Sequence, residues 1–394
     1  LIDDVRNRMQ NLDQRVLEFI GESFTYRLVG RAGEDVRRGI LAPLGEFQAA
    51  VLRLVERLTE ILESFDIDQS ENVDVFEARI LVNRLAQAAS ICESFTRYDE
   101  DTENIFWIAR TSSGKEEFFV EFSITPLSVA GIMEEAVFTP LKTVVCTSAT
   151  LSVRNSFSYW MKPLGLSEQN ERVRTSVFPS PFPYDTHVLL AVPTDAPMPD
   201  NPAYVDYVKQ TVGDILEISE GKGLVLFTAY SMLREVYEAV RPRMLQQGIT
   251  TLKQGDEDRS KLLSVFKTDT ASILFATDSF WEGVDTPGEA LEVVIICRLP
   301  FRVPTDPVAK ARMDAIEKGG GNSFMEMSLP EAVLKLKQGF GRLMRRSSDR
   351  GVVVILDPRI LKKSYGSLFL DTLPQTLRSM KETHGILNDI ERFF

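Results

Sequence analysis

Ser272-Ile273-Leu274-Phe275-Ala276-Thr277-Asp278-Ser279 decides the fold. A short apolar run that closes on polar residues reads as a strand buried on both faces, the pattern of a parallel sheet. Four more runs have the same form: Thr143 to Leu151, Gly223 to Ser231, Leu291 to Ile296 and Gly351 to Asp357. Helical patterns separate them, which predicts a doubly wound α/β sheet. Such sheets bind ligands beyond the carboxyl ends of their strands. Thr277 and Asp278 stand at one of those ends.

Downstream lies Gln338-Gly339-Phe340-Gly341-Arg342-Leu343-Met344-Arg345. Arginines three residues apart sit about one helical turn apart, so both side chains leave one face. A planar, permanently charged guanidinium suits the charge that builds on a transferring phosphoryl group. Each glycine inside a helix costs about 1 kcal/mol relative to alanine. Gly339 and Gly341 therefore predict the close approach of another element. Taken alone, the arginine pair reads first as a solvated basic face.

In order along the chain, Ser148-Ala149-Thr150, the strand closing on Thr228-Ala229-Tyr230-Ser231, Thr277-Asp278 with Gly283-Val284-Asp285, and Gln338 to Arg345 resemble motifs III to VI of superfamily 2 helicases. Three stretches narrow the resemblance to the DinG/XPD-type DNA helicases and favour the DinG branch: Ser180-Pro181-Phe182, Phe280 to Asp285, and Arg298-Leu299-Pro300-Phe301 followed by Pro304, Asp306 and Pro307. The resemblance implies a RecA-like parallel sheet preceded by an α-helical, arch-like region. It implies an ATP-dependent motor that moves 5′ to 3′ along single-stranded DNA. By the same resemblance Arg345 and Arg342 are arginine fingers and Gln338 senses the nucleotide or its attacking water. Glu282, Gly283, Asp285 and Gly341 face the nucleotide. Thr228, Tyr230, Thr277 and Asp278 face DNA, and Ser148, Ala149 and Thr150 couple hydrolysis to movement. Duller readings stay open: Asp285 as a loop cap, Thr228 as a strand-end hydroxyl, Tyr230 and Trp281 as packing aromatics, and Asp357-Pro358-Arg359 as a structural ion pair.

The chain departs from that family in one respect. No Gly-x-x-x-x-Gly-Lys-[Ser/Thr] phosphate loop is present. The nearest candidate, Ser113-Gly114-Lys115-Glu116, has Ala109 in place of the first glycine and Glu116 in place of a hydroxyl residue. It reads as a hairpin turn between the strand-like runs Asn104 to Arg110 and Glu117 to Ile124. No Asp-Glu-x-His or Asp-Glu-x-Asp run exists to hold Mg2+, and no metal ligand is assigned within the chain. The sequence opens on Leu1 within a helical pattern. The expectation is the carboxyl-terminal portion of a longer helicase, with the sites for ATP and Mg2+ completed elsewhere. An iron–sulfur cluster, carried by some members of the family, is neither supported nor excluded.

The 394 residues are 44% hydrophobic, enough for two or three cored domains. No apolar run approaches the length of a membrane span and no secretory signal is seen, so a cytoplasmic, non-membrane protein is expected. Cys92, Cys146 and Cys297 lie far apart, which fits reduced core thiols. A net charge of −12 argues against a broad basic nucleic-acid surface and leaves room for a local groove. Basic clusters at Arg342/Arg345/Arg346, Lys310/Arg312 and Lys362/Lys363 are candidates, the last two reading first as solvated faces.

Three parts are expected. Residues 1–104 carry helical stripes such as Val5, Met9, Leu12, Val16 and Phe19, or Ile80, Leu85, Ala88 and Ile91. By resemblance they are the arch-like insertion. Residues 105–153 correspond to a remnant of the first RecA-like domain, and residues 154–394 to a complete second one. A remnant with uncovered sheet edges implies self-association or flexibility around residues 105–153. The alternative to a motor is a non-catalytic module that binds single-stranded DNA or a partner protein.

Overall fold

The computed structural model describes residues 1–64, 73–112, 118–277, 280–281, 291–302 and 305–394. They form two compact units, Leu1–Val129 with Val303–Gly320, and Ala130–Arg302 with Gly321–Phe394. The boundary between them at Val129 falls inside residues 105–153, the stretch expected to be the remnant of a first RecA-like domain.

In the first unit the helices Ile2–Ile20, Ala42–Glu63 and Val73–Thr96 accompany an antiparallel sheet of β1 (Thr25–Arg27), β2 (Asn104–Ser112) and β3 (Phe118–Pro126), with β2 central. The Ser113 to Glu116 stretch lies outside the described residues; on either side of it Ser112 pairs with Phe118. Phe95 meets Phe106 and Phe122 edge-on, each with ring centroids 5.1 Å apart, and so ties the third helix to the sheet. The third helical stripe is offset from expectation. Its buried positions are Val82, Ala89, Cys92 and Phe95, whereas Ile80 and Ile91 are exposed. Burial pushes the Cys92 thiol up to about 11, so it stays protonated and unreactive near neutrality. The helix Pro307–Lys318 also belongs to this unit: Asp306 caps its N-terminus by accepting from Ala309 N at 2.6 Å, and Asp314 pairs with Arg27.

In the second unit β4 (Val188–Ala191), β5 (Gly223–Leu226), β6 (Thr250–Lys253), β7 (Ser272–Ala276), β8 (Val293–Ile296), β9 (Gly351–Ile355) and β10 (Leu377–Ser379) form one parallel sheet in the order β10-β4-β9-β8-β5-β7-β6. Alternate residues serve opposite faces. Leu224, Leu226, Leu274, Val294, Val353 and Ile355 share a core with Ala332, Val333, Leu336 and Phe340 of the helix Leu329–Phe340. Val225, Ile273, Phe275, Val293, Ile295 and Val354 share another with the helices Tyr204–Ile218, Tyr230–Gln246 and Thr383–Phe393. Two covered faces explain why the strands read as unbroken apolar runs. This is the RecA-like α/β fold that the sequence predicts.

Two expectations fail. Thr143 to Leu151 forms no strand; residues 141–149 are exposed, Val145 by 82%. Among the described residues no strand lies beside it, and a lone strand cannot satisfy its own backbone groups. Cys146 is exposed with it, while Cys92 and Cys297 are buried as core thiols. Among the described residues no helix is long and apolar enough to cross a membrane.

Two contacts hold the carboxyl edge of the sheet. Trp281 is fully buried, donates Nε1–H to Phe227 O at 3.2 Å, and lies against Gly339. A Cβ at Gly339 would stand 2.8 Å from Trp281 Cε3 and 3.2 Å from Leu226 Cδ1. Asp357, also fully buried, accepts from Leu299 N at 2.9 Å and pairs with Arg359 Nη2 at 2.6 Å. Gly339→Ala should therefore destabilise the fold by about 1–3 kcal/mol through overpacking, less the helix-propensity gain of about 1 kcal/mol. Gly341→Ala, whose Cβ would meet nothing nearer than Lys337 O at 3.3 Å, should be near neutral. Urea midpoints of the two variants test the contrast. Asp357→Ala should cost about 3–5 kcal/mol, because it strands a buried guanidinium and the Leu299 N–H; a midpoint unchanged from the parent would refute the clamp.

Candidate functional site

All seven strands are parallel, so their carboxyl ends share one edge of the second unit. The sequence-predicted residues that the structure describes lie along it or close by in the chain, except for the Ser148 segment. Asp278, Glu282, Gly283 and Asp285 lie outside the described residues.

The arginine-bearing stretch departs from expectation. The helix ends at Phe340, so Arg342 and Arg345 do not leave one helix face. Gly341 closes the helix by donating its N–H to Lys337 O at 2.9 Å. Arg342 folds back, donating Nε–H to Gln338 O at 3.1 Å, where a cation complements the carboxyl end of the helix dipole. Leu343 and Met344 are buried in the core below. The Asp349 carboxylate accepts from the backbone N–H of Arg345 at 2.7 Å and of Arg346 at 2.8 Å. Arg345 therefore sits on a pinned turn, half-buried. It lies near Tyr184, whose phenol is held above its ordinary value by burial, against the opposing pull of Ser180 and the Arg345 charge. Tyr184 in turn packs on Phe340 with ring centroids 5.6 Å apart. Beside half-buried Gln338, Lys337 has its ammonium held below its ordinary value by burial.

The residues expected to face DNA gather at the ends of β5, β6 and β7. Thr228 is half-buried one residue past Phe227, which anchors Trp281. Tyr230 is 46% exposed at the start of its helix and donates its hydroxyl to Gln254 O at 3.1 Å. Thr277 donates both its backbone N–H, at 2.6 Å, and its hydroxyl, at 3.0 Å, to Gln254 Oε1. Those donors are thus turned onto protein, which runs against the expectation that Thr277 itself offers them to a phosphate. Gln254 was missed by sequence reasoning. Its one signal was the turn Gln254-Gly255-Asp256 between a strand and a helix.

Ser148, Ala149 and Thr150 share no hydrogen bond with this cluster among the described residues. They form a local turn in which Thr150 N donates to Ser148 Oγ at 3.2 Å. Trp281 is a packing aromatic, as its duller reading had it, and Asp357 with Arg359 is a structural ion pair. Arg359 also covers the Phe301 ring at 5.3 Å, and Arg298 donates to Pro199 O at 2.9 Å, so the Arg298-Leu299-Pro300-Phe301 stretch is scaffold. Arg312 and Lys362 likewise donate to backbone carbonyls, of Leu127 and Ala196, each at 3.3 Å. Among the described residues no group of His, Cys, Asp or Glu is arranged to hold a metal ion.

Comparison with known proteins accords with this arrangement. Residues 212–376 match the family model described as a helicase C-terminal domain. The chain is 34% identical over 358 residues to the "3'-5' exonuclease DinG" of Bacillus subtilis, covering 88% of this chain and 38% of that protein. It is 38% identical over 257 residues to the "ATP-dependent DNA helicase YoaA" of Escherichia coli, covering 65% of this chain and 39% of that protein. For the "ATP-dependent DNA helicase DinG" of Photobacterium profundum the identity is 36% over 272 residues, covering 68% and 39%. The chain thus spans well under half the length of these curated relatives. Among solved structures, S. tokodaii Xpd4 matches with a TM-score of 0.53 at 16% identity, over 95% of this chain and 66% of that one, a likeness of fold. Residues 212–376 thus carry a helicase C-terminal domain on a RecA-like sheet, and the chain is similar to a portion of the DinG and YoaA helicases.

Proposed function

We propose that this chain is part of an ATP-dependent DNA helicase that translocates 5′ to 3′ on single-stranded DNA. One observation carries the reading: Trp281 against Gly339 joins the strand-end residues expected to meet DNA to the helix end expected to meet nucleotide. In this reading residues 1–104 are an arch-like insertion, residues 105–153 belong to a first motor domain, and residues 154–394 are the second. A phosphate loop, which these 394 residues lack, is supplied from outside them.

Arg345 and Arg342 meet the charge that develops on the γ-phosphate, and Gln338 senses the nucleotide or its attacking water. Glu282, Gly283, Asp285 and Gly341 line the nucleotide side of the cleft. Thr228, Tyr230, Thr277 and Asp278 form the edge that meets the DNA backbone, in a sequence-independent manner. Ser148, Ala149 and Thr150 pass domain closure to that edge. Mg2+ would neutralise phosphate charge, and its acidic ligands are not supplied by a recognisable run in this chain. A second reading, a non-catalytic module for single-stranded DNA or a partner, is favoured by the missing phosphate loop.

In the polypeptide completed by a phosphate loop, Arg345→Ala should lower DNA-stimulated ATP hydrolysis by about 10³-fold or more while leaving DNA affinity within about threefold. Unchanged turnover would remove Arg345 from the finger role. The 394 residues alone should hydrolyse no ATP; turnover that vanishes with Arg345→Ala would reveal a complete nucleotide site within them. Exposed Val145 and Phe178, at 82% and 85%, should drive self-association. Sedimentation velocity reads this directly, and a monodisperse monomer at all concentrations would contradict it.

A further inference from the structure

No step of the proposed motor uses Ser180-Pro181-Phe182, although the stretch narrows the family resemblance. The residues that follow it suggest a task. Pro181 and Pro183 restrict φ on either side of Phe182, so the run from Ser180 to Tyr184 has little freedom to lose. Tyr184 then opens the short helix Tyr184–His187, which runs straight into β4. Strand β4 begins beside β9, with Val188 the register partner of Gly351. The arginine turn leads into β9 at that same residue. The segments that carry Tyr184 and Arg345 are thereby brought to the same end of two adjacent strands.

Packing completes the approach. Tyr184 lies against Phe340, the last residue of the Leu329–Phe340 helix, with ring centroids 5.6 Å apart, and Phe182 meets Tyr184 edge-on at 6.0 Å. Both rings cover the core that holds Leu343 and Met344, the two residues before Arg345. The Tyr184 N–H donates to Phe182 O at 2.9 Å, which fixes the two rings to each other. The half-buried phenol feels the Arg345 charge, which pulls its ionisation down against burial. Asp349 pins the backbone of the turn, and a pinned backbone alone leaves a long side chain its rotamers. A phenol beside a guanidinium supplies an acceptor oxygen and an electron-rich ring, two features that orient it.

We infer that Tyr184 is a positioning residue: its phenol orients the Arg345 guanidinium, and the Ser180-Pro181-Phe182-Pro183 run holds the phenol in place. This rests on the proposed reading of Arg345 as a group that meets the γ-phosphate. Tyr184 acts through Arg345 and has no contact of its own with the nucleotide.

Two measurements test it. The first uses the 394-residue chain with its tyrosines labelled with 13C at Cζ. The Tyr184 resonance, assigned by its loss in Tyr184→Phe, should move in Arg345→Ala and hold still in Arg234→Ala, a change at an exposed position of another helix. A resonance unmoved by Arg345→Ala overturns the inference. The second uses the polypeptide completed by a phosphate loop. Tyr184→Phe keeps the ring and removes only the hydroxyl. It should lower kcat for DNA-stimulated ATP hydrolysis by about tenfold, leave KM for ATP within about threefold, and leave the urea midpoint unchanged. Made on Arg345→Lys, the same change should cost less than about twofold, because a residue that acts through Arg345 has no guanidinium left to orient. A merely structural tyrosine gives the reverse, a lowered midpoint with equal losses in both backgrounds. Unchanged kcat in Tyr184→Phe, or equal losses in both backgrounds, overturns the inference; loss of turnover in Arg345→Ala then leaves the finger reading standing without it. Turnover unaffected by Arg345→Ala overturns both.

Discussion

The rest of the second unit depends on a tryptophan that occupies the space a side chain would take at Gly339. Trp281 is held from one side by the Phe227 carbonyl at the end of β5 and from the other by the bare backbone of the Leu329–Phe340 helix. Removing a Cβ lets the helix axis come in far enough to cover the ring, and the covered ring leaves its one N–H to the one carbonyl within reach. Three stretches, each more than fifty residues of sequence from the next, are thereby fixed to each other. They are the strand end before Thr228, the pair Phe280-Trp281, and the helix that leads to Arg342. Any coupling between nucleotide and nucleic acid at this edge has to pass through residues whose mutual placement this contact sets.

That contact was half legible in the sequence. Two glycines in a helical pattern foretold a close approach, and only Gly339 makes one; Gly341 instead closes the helix. The partner was not foretold, because an aromatic beside polar residues reads equally as a stacking platform or as core, and burial depends on where the chain brings it. The central strands β5, β7, β8 and β9 were legible, since two-faced burial writes itself as a continuous apolar run, whereas β4, β6 and β10 were not foreseen. The same signal misled at Thr143 to Leu151, where the run is as apolar as the others but has no described strand beside it. Apolar patterning reports a tendency to be covered; pairing needs a neighbour, and that is a property of the fold. Gln254 left almost no trace, because a lone amide at a turn has no periodicity and its importance is made wholly by the donors that converge on it.

The arginine turn illustrates a related limit. Spacing alone placed Arg342 and Arg345 on one helical face, yet the helix stops before either of them. What replaces the helix is a turn whose backbone is pinned by Asp349 from one side and by the burial of Leu343 and Met344 from the other. For the finger role proposed for Arg345, this is an advantage. Electrostatic stabilisation is effective when the charged group is already placed and little reorganisation accompanies the reaction. A half-buried arginine on an anchored turn meets that condition better than one on a solvated helix face, where rotamer freedom would have to be given up at each turnover.

The strongly negative charge of the chain bears on the proposed role on nucleic acid at the same edge. Affinity for a polyanion usually comes from lysines and arginines that release condensed counterions, and it weakens steeply with salt. The groups that meet at Gln254 are of another kind: a threonine, a tyrosine and an amide, tied together by hydrogen bonds and carrying no charge, beside a Lys253 ammonium already paired with Asp256 at 3.1 Å. Contacts of this kind add little to the counterion term, and they are directional. They position a backbone without gripping it. At this edge the Tyr230 hydroxyl and both Thr277 donors are spent on Gln254, so the bonds that converge there fix the ends of β5, β6 and β7 to one another.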